Sequence, residues 1–199
     1  MDRNLYKASF RQDKQLNWIC PSCNQGLLRI KDNSFSYYER AESLRIRNHP
    51  DWDPDWVGFV YSCVFGCQNE HCGEAVASSG IGFYDWDIIE DQYGQDQQEW
   101  YPHFRPKSFS PSLNIINIPD ETPDSVSGAL VESFGLFFSS PPASANQVRS
   151  AVESLLTELK VKRFRVTANK KRQRLNLHQR IEQLPTKYAH YKDLLFAVK

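Results

Sequence analysis

Five cysteines carry the most specific chemistry in this 199-residue chain. Cys20-Pro21-Ser22-Cys23 is followed, after 43 intervening residues, by Cys67-Gln68-Asn69-Glu70-His71-Cys72. A gap of about two to four residues lets one tight turn aim two sulfurs the same way, and two such turns can close a tetrahedral shell around one ion. Asn24, Gln25 and Gly26 after the first pair, and Asn69 and Gly73 around the second, form turns and offer backbone N–H groups to sulfur. The pattern predicts Zn2+ on Cys20, Cys23, Cys67 and Cys72. Four thiolates leave no position for water, so such a site is structural rather than catalytic. Cys63 and His71 are the alternative ligands. Cys63 sits in the aromatic run Phe59–Phe65, where a thiol packs as a small hydrophobe, and His71 adjoins Cys72. Compact zinc ribbons space their pairs about 15–20 residues apart. The longer spacer costs only ~0.6 kcal/mol per doubling of loop length. A structural zinc contributes on the order of 10–16 kcal/mol in finger peptides, so the metal wins.

The second group is basic. Lys160 to Arg174 reads KVKRFRVTANKKRQR, with eight Lys/Arg and no acid. Lys160, Lys162, Arg163, Arg165, Lys170, Lys171, Arg172 and Arg174 are candidate contacts to the phosphates of RNA or DNA. The alternation through Lys162–Val166 suits an edge strand or hairpin. The same run could instead be a solvated loop, or dock on the acidic front of the chain. Residues 145–199 hold 13 Lys/Arg and 4 Asp/Glu, whereas residues 1–144 hold 11 and 20. Trp52, Trp56, Trp86 and Trp100 stand among Asp51, Asp53, Asp55, Asp85 and Asp87, which repel phosphate, so these indoles are expected to anchor the core rather than stack on bases.

The elements that must position these groups change character near Pro119. Leu27–Ile30, Phe35–Tyr38, Trp56–Phe65, Ala75–Tyr84 and Leu113–Ile118 read as short strands broken by Gly, Pro, Asn and Asp. Asp91–Glu99 reads as a polar, mobile connection. Thr122-Pro123-Asp124 opens a helix with a hydroxyl cap, and Val126, Leu130, Phe134 and Phe137 continue it. Val148 through Leu159 give a second helix, and Leu177, Ile181 and Leu184 a third, stopped by Pro185. Tyr188 to Val198 begin a fourth with no terminator, so the chain is expected to be incomplete at its C-terminus. These boundaries predict an α+β protein: an N-terminal extension over 1–16, an antiparallel β domain over 17–118 and an α-helical domain over 119–199. No window is apolar for ~18 residues, which excludes a membrane helix. No greasy segment follows the N-terminal charges, so the expected address is cytoplasmic, where thiols bind metal rather than pair as disulfides.

WICPSCNQG, CQNEHCGEAVASSG, FRPKSFSPSLNIINIPDETPDSV, ANQVRSAVESLLTELKV and RQRLNLHQRIEQL, in that order, resemble an uncharacterised bacterial family. In it a zinc-ribbon-like part precedes a helical domain similar to the HEPN superfamily, in a restriction or phage-defence setting. The resemblance implies that the β domain is zinc-ribbon-like, that Cys20, Cys23, Cys67 and Cys72 are the ligands, and that residues 119–199 form a HEPN-like bundle, often homodimeric. Active HEPN ribonucleases carry Arg-x(4–6)-His late in the bundle. Only Arg172-x5-His178 fits that spacing here. Arg149 matches an arginine of the family's second helix, and the residues give it a plain role as a salt bridge to Glu153 at i+4.

The reading that follows is a non-catalytic, zinc-stabilised module that binds RNA or DNA in a defence or regulatory context. Its alternatives are a protein-interaction or regulatory subunit, the N-terminal part of a larger protein, and a HEPN-like ribonuclease using Arg172 and His178.

Overall fold

A computed structural model describes residues 4–90 and 94–198 and divides the chain into two units, Met1–Ile115 and Ile116–Lys199. Together they make a mixed α+β protein. The first unit is a five-stranded antiparallel sheet of β1 (Leu28–Ile30), β2 (Ser36–Glu39), β3 (Gly58–Cys67), β4 (Ala75–Glu90) and β5 (Asp96–Ser110). A short helix, α1 (Ala41–Ile46), follows β2. Alternation makes β3 the centre: Phe59, Tyr61, Cys63 and Phe65 point to the core and Val60 and Ser62 to solvent. One edge of β3 pairs with β4, and β1 and β2 share the other end to end.

Residues before 17 are part of this unit. Phe10 bridges Phe104 on the outer side of β5 and is fully buried, with Trp18 at 5.4 Å edge-on. Trp18 in turn packs edge-on against Phe65 at 5.4 Å and donates its indole N–H to the Leu5 carbonyl. Each such buried aromatic contributes about 1.5–3 kcal/mol, and the edge-on geometry adds about 0.5–1.5 kcal/mol. The indole thus fixes the chain two residues before Cys20.

The fifth strand lies elsewhere than its composition indicates. Leu113–Ile118 form no strand. The strand is β5, whose first residues, Asp96–Glu99, belong to the stretch read as a mobile connection; residues 91–93 of that stretch lie outside the described residues. Pro102 and Pro106 hide β5 in the sequence, yet cost it nothing. The N–H of Phe104 points away from β4, to the Phe10 carbonyl at 2.7 Å, and in an extended strand Pro102 and Pro106 share that direction. Their missing donors therefore fall on the outer edge.

The second unit pairs α2 (Asp124–Phe137) with α3 (Pro141–Glu158). Thr122 does not cap α2: Pro123 takes that position with no side-chain hydrogen bond. A hairpin of β6 (Phe164–Val166) and β7 (Arg172–Arg174) leads to α4 (Leu177–Glu182), which opens on an Asn176–Gln179 capping box. The last stretch splits into a 3₁₀ segment, Thr186–Tyr191, and α5 (Lys192–Phe196). Val152, Leu156, Val161, Ile181 and Leu184 make the core. Among the described residues no helix is long and apolar enough to cross a membrane.

One cation is buried in this core. Arg180, 2% exposed, donates from its two terminal nitrogens to the Glu153 carbonyl at 3.0 Å and the Thr157 hydroxyl at 2.9 Å. The Glu153 carboxylate stands 3.8 Å away. Arg180→Ala leaves that carbonyl and hydroxyl without their donors and opens a gap between α3 and α4. It should cost about 2–4 kcal/mol. Urea unfolding followed by far-UV circular dichroism checks it; a loss below about 0.5 kcal/mol would show that the helices do not depend on this side chain.

Candidate functional site

The two cysteine pairs meet at one end of the β unit. Trp18 and Leu28 are joined by a backbone bond (Leu28 N–H to Trp18 O, 2.8 Å), and Ile19 and Leu27 form a bridge. Cys20 to Gly26 are therefore the tip of a small hairpin. Cys20 N–H donates to Gly26 O at 2.8 Å, and Asn24 turns the chain at φ 53°. The second pair begins where β3 ends, because Cys67 lies opposite Leu28 in the β1–β3 register. Asn69 accepts from Cys72 N–H at 2.9 Å, and Gly73 takes φ +64°, closing the second turn.

The four sulfurs converge. Cys20 Sγ lies 3.7 Å from Cys72 Sγ, Cys23 Sγ lies 3.7 Å from Cys67 Sγ, and all four lie within 4.8 Å of one another. A disulfide would need about 2.05 Å. Four sulfurs each about 2.3 Å from a common centre have edges of about 3.8 Å when tetrahedral, so this donor set fits a single metal ion. Cys63 and His71 stand outside the group. Cys63 is buried on the aromatic face of β3, where burial pushes its thiol up to about 12. His71 is exposed, its N–H bonded to Asn69 Oδ1 at 3.1 Å.

Backbone amides surround the sulfurs as the turn sequences foretell. Gly26 N–H donates to Cys23 Sγ at 3.3 Å and Asn69 N–H to Cys67 Sγ at 3.4 Å. The amides of Gly26 and then Gln25 pull the Cys23 thiol down to about 6, which makes it a ready ligand. Two further residues join the turns and were not singled out from the sequence. Asn114 donates to Pro21 O at 2.8 Å and to Asn24 Oδ1 at 2.9 Å, so the segment read as a strand works as a strap over the first turn. Ser22 donates to Glu74, tying the first turn to the second.

The eight basic candidates lie on the other unit, and all eight are exposed. Phe164 pairs with Arg174 and Val166 with Arg172, and Thr167 to Lys171 form the tip, with Lys170 at φ 55°. Leu175 N–H bonds Arg163 O at 2.9 Å, and buried Val161 and Leu175 root the hairpin. Arg172 stacks 3.8 Å over the Phe164 ring, and Arg165 donates to Gln173 at 2.9 Å. Of the eight, only Arg174 meets a carboxylate among the described residues, Glu153 at 3.4 Å. Glu153 thus takes Arg174 and Arg180 as partners, whereas Arg149 donates to Val198 O and Asn146 Oδ1. Of the Arg172-x5-His178 motif, Arg172 lies over Phe164, and His178 sits beside Glu182 at 3.4 Å and against Phe196.

The core role expected of the indoles belongs to Trp18 alone. Trp52, Trp56, Trp86 and Trp100 are 37–47% exposed. Trp86 lies directly opposite Trp100, beyond the Gly58–Phe83 pair where β3 begins, so among the described residues no third strand pairs with the ribbon there.

Gly26 is the position at which the sulfur cluster is least tolerant. A Cβ there would stand 2.3 Å from Cys67 Sγ and 2.9 Å from Asn69 Cβ. Gly26→Ala should push the two turns apart and destabilise the β unit by about 1–3 kcal/mol. It should also raise the reactivity of the four cysteines toward a thiol reagent while Cys63 stays protected. Unchanged labelling kinetics would show that the turns do not need this close approach.

No curated protein and no solved structure matches the chain. Residues 8–109 match the family described as Domain of unknown function (DUF8608), a span that holds both cysteine pairs and β1 to β5 up to Phe109. That span exceeds half of the chain, which therefore belongs to the DUF8608 family.

Proposed function

We propose that the chain is a non-catalytic nucleic-acid-binding module whose β unit is stapled by Zn2+ and whose second unit presents a basic hairpin to phosphate. The observation that carries the binding reading is the hairpin itself: eight exposed cations along its root, strands and tip, three of them (Arg165, Arg172 and Arg174) on the strands, with no acid among them and a single carboxylate partner among the described residues. Cations left free of partners exchange readily with the counterions of a nucleic acid, and releasing those counterions drives association. Arg172 over the Phe164 ring adds a cation–aromatic pair against which a base could stack.

The metal reading rests on thiolate softness and tetrahedral spacing, which favour zinc over the harder divalent cations. Cys20, Cys23, Cys67 and Cys72 would hold it, and its chemistry there would be structural. The zinc-ribbon likeness of the two turns, the HEPN-like character of the second unit, a homodimer through it, a cytoplasmic address and a bacterial defence setting extend the same proposal. All of these but the address draw on the order of the motifs along the chain.

A second reading, docking to a protein partner, has its own observation. The two-stranded ribbon beyond Phe83 exposes Trp86, Trp100 and Ile88 among Asp85, Asp96 and Glu99, a combination suited to a basic, apolar segment.

Two outcomes are expected. Purified protein should carry about one zinc per chain by elemental analysis. Cys20→Ser should lose it and unfold the β unit while helical circular dichroism persists, and Cys63→Ala should keep it. Metal well below half an equivalent in the wild type would remove the zinc reading. For nucleic acid, a labelled single-stranded RNA or DNA should bind more tightly at low salt than at moderate salt. Neutralising Lys170, Lys171, Arg172 and Arg174 together should weaken it by roughly 100-fold and flatten the salt slope by about 3–4 units. Binding that ignores these four changes would overturn the hairpin as the contact surface.

A further inference from the structure

The root of the hairpin and α3 enclose a groove of about 470 Å³ within the second unit. That volume falls in the range of small-ligand sites, roughly 300–1,000 Å³. Ser150, Ser154 and Thr157 line its floor at i, i+4 and i+7 on one face of α3, so their hydroxyls lie in a row. Arg163, just before β6, and Arg174, at the end of β7, form its rim, and the Leu175 N–H to Arg163 O bond holds the two ends of the hairpin together there.

Charge in the groove is unbalanced in a specific way. Its two carboxylates are already engaged: Glu153 faces Arg174 at 3.4 Å and Arg180 at 3.8 Å, and Glu158 accepts from Ser125 at 3.2 Å. Arg180 is sealed behind the floor, where burial and the nearness of Arg163 and Arg174 lower its affinity for its proton. Three guanidinium groups therefore surround two carboxylates. Arg163 has no carboxylate partner, and Ser154 no hydrogen-bond partner, among the described residues. A guanidinium without a carboxylate and a hydroxyl without a partner, lining one groove, are the donor types that a tetrahedral oxyanion needs.

We infer that this groove seats one nucleotide of a single-stranded nucleic acid, its phosphate held by Arg163, Arg174 and the Ser154 hydroxyl. The inference rests on the nucleic-acid reading above and adds to it the strandedness and the seat. Arg163 and Arg174 belong at once to the groove and to the basic hairpin, so a strand lying along β6 and β7 passes directly over it. The groove takes one nucleotide only if the backbone can bend into it. A paired strand cannot do so without unstacking its bases. The Arg172–Phe164 stack lies on the same hairpin and would receive the neighbouring base.

The test compares a short labelled single strand with the duplex of the same sequence by fluorescence anisotropy at one low salt concentration, using the full chain. The wild type should favour the single strand. Arg163→Gln and Ser154→Ala should each weaken single-strand binding by roughly tenfold and duplex binding by less than about threefold. Arg163→Lys should recover only part of the loss, because an ammonium lacks the forked pair of donors. Both side chains lie on the surface of the groove, so thermal unfolding should stay within about 2 °C of wild type. Equal losses on single strand and duplex, or losses no larger than that of Lys170→Gln at the hairpin tip, would overturn the groove and leave the hairpin standing. If neither probe binds the wild-type chain, the nucleic-acid reading falls and takes the groove with it.

Discussion

The β unit is organised by the requirement that four sulfurs from two turns, with 43 residues between them in sequence, reach one point. Each turn is placed by something other than the cysteines. Trp18, locked between Phe10 and Phe65, sets the height of the first; the pairing of Cys67 with Leu28 sets the second against it. Gly26 then lets the turns close, since no side chain fits between its backbone and Cys67 Sγ. The aromatic layer comes first in this order of causes. A metal bound at the end of it would convert four coincident thiols into a cross-link, and closing a loop of that length costs only a few kcal/mol of chain entropy.

Legibility followed chemistry more closely than pattern. The ligand set stood out because cysteine spacing reports directly on turn geometry, and β3 because Trp56–Phe65 is a run of aromatic and β-branched residues between turn formers; the structure adds the alternation that buries Phe59, Tyr61, Cys63 and Phe65. What failed was anything that depends on neighbours. Composition made Leu113–Ile118 a strand, yet a strand needs a partner edge, and Asn114 is spent on the first cysteine turn instead. Composition also hid β5, because Pro102 and Pro106 lose nothing when their N–H side faces outward. The exposed indoles share this cause. Trp86 and Trp100 are typed as core residues, but whether a strand pair is covered depends on how far β3 extends.

Arg180 was readable in principle. Leu177 and Ile181 mark the apolar side of α4, and position 180 lies one turn from 177 and next to 181. A cation there must be satisfied from the helix it packs on. Thr157 and Glu153, four residues apart on α3, supply what it needs. The pairing therefore sets the register of α4 against α3 and, through the chain between them, the position of the hairpin root.

The hairpin also shows what the local backbone tolerates. The end of α3 is a Schellman turn: Val161 N–H reaches Leu156 O and Lys160 N–H reaches Thr157 O, both at 2.9 Å, which puts Lys160 at φ 61°. Lys170 takes φ 55° at the tip. Both positions suit glycine, and an L side chain there costs about 1–2 kcal/mol. A chain built for stability alone would gain by placing glycine at one or both. With lysine at each, the hairpin carries a cation at its root and another at its tip, so the strained positions contribute charge to the surface where charge is the available chemistry. That trade is intelligible if the hairpin's task is to meet phosphate, as proposed above.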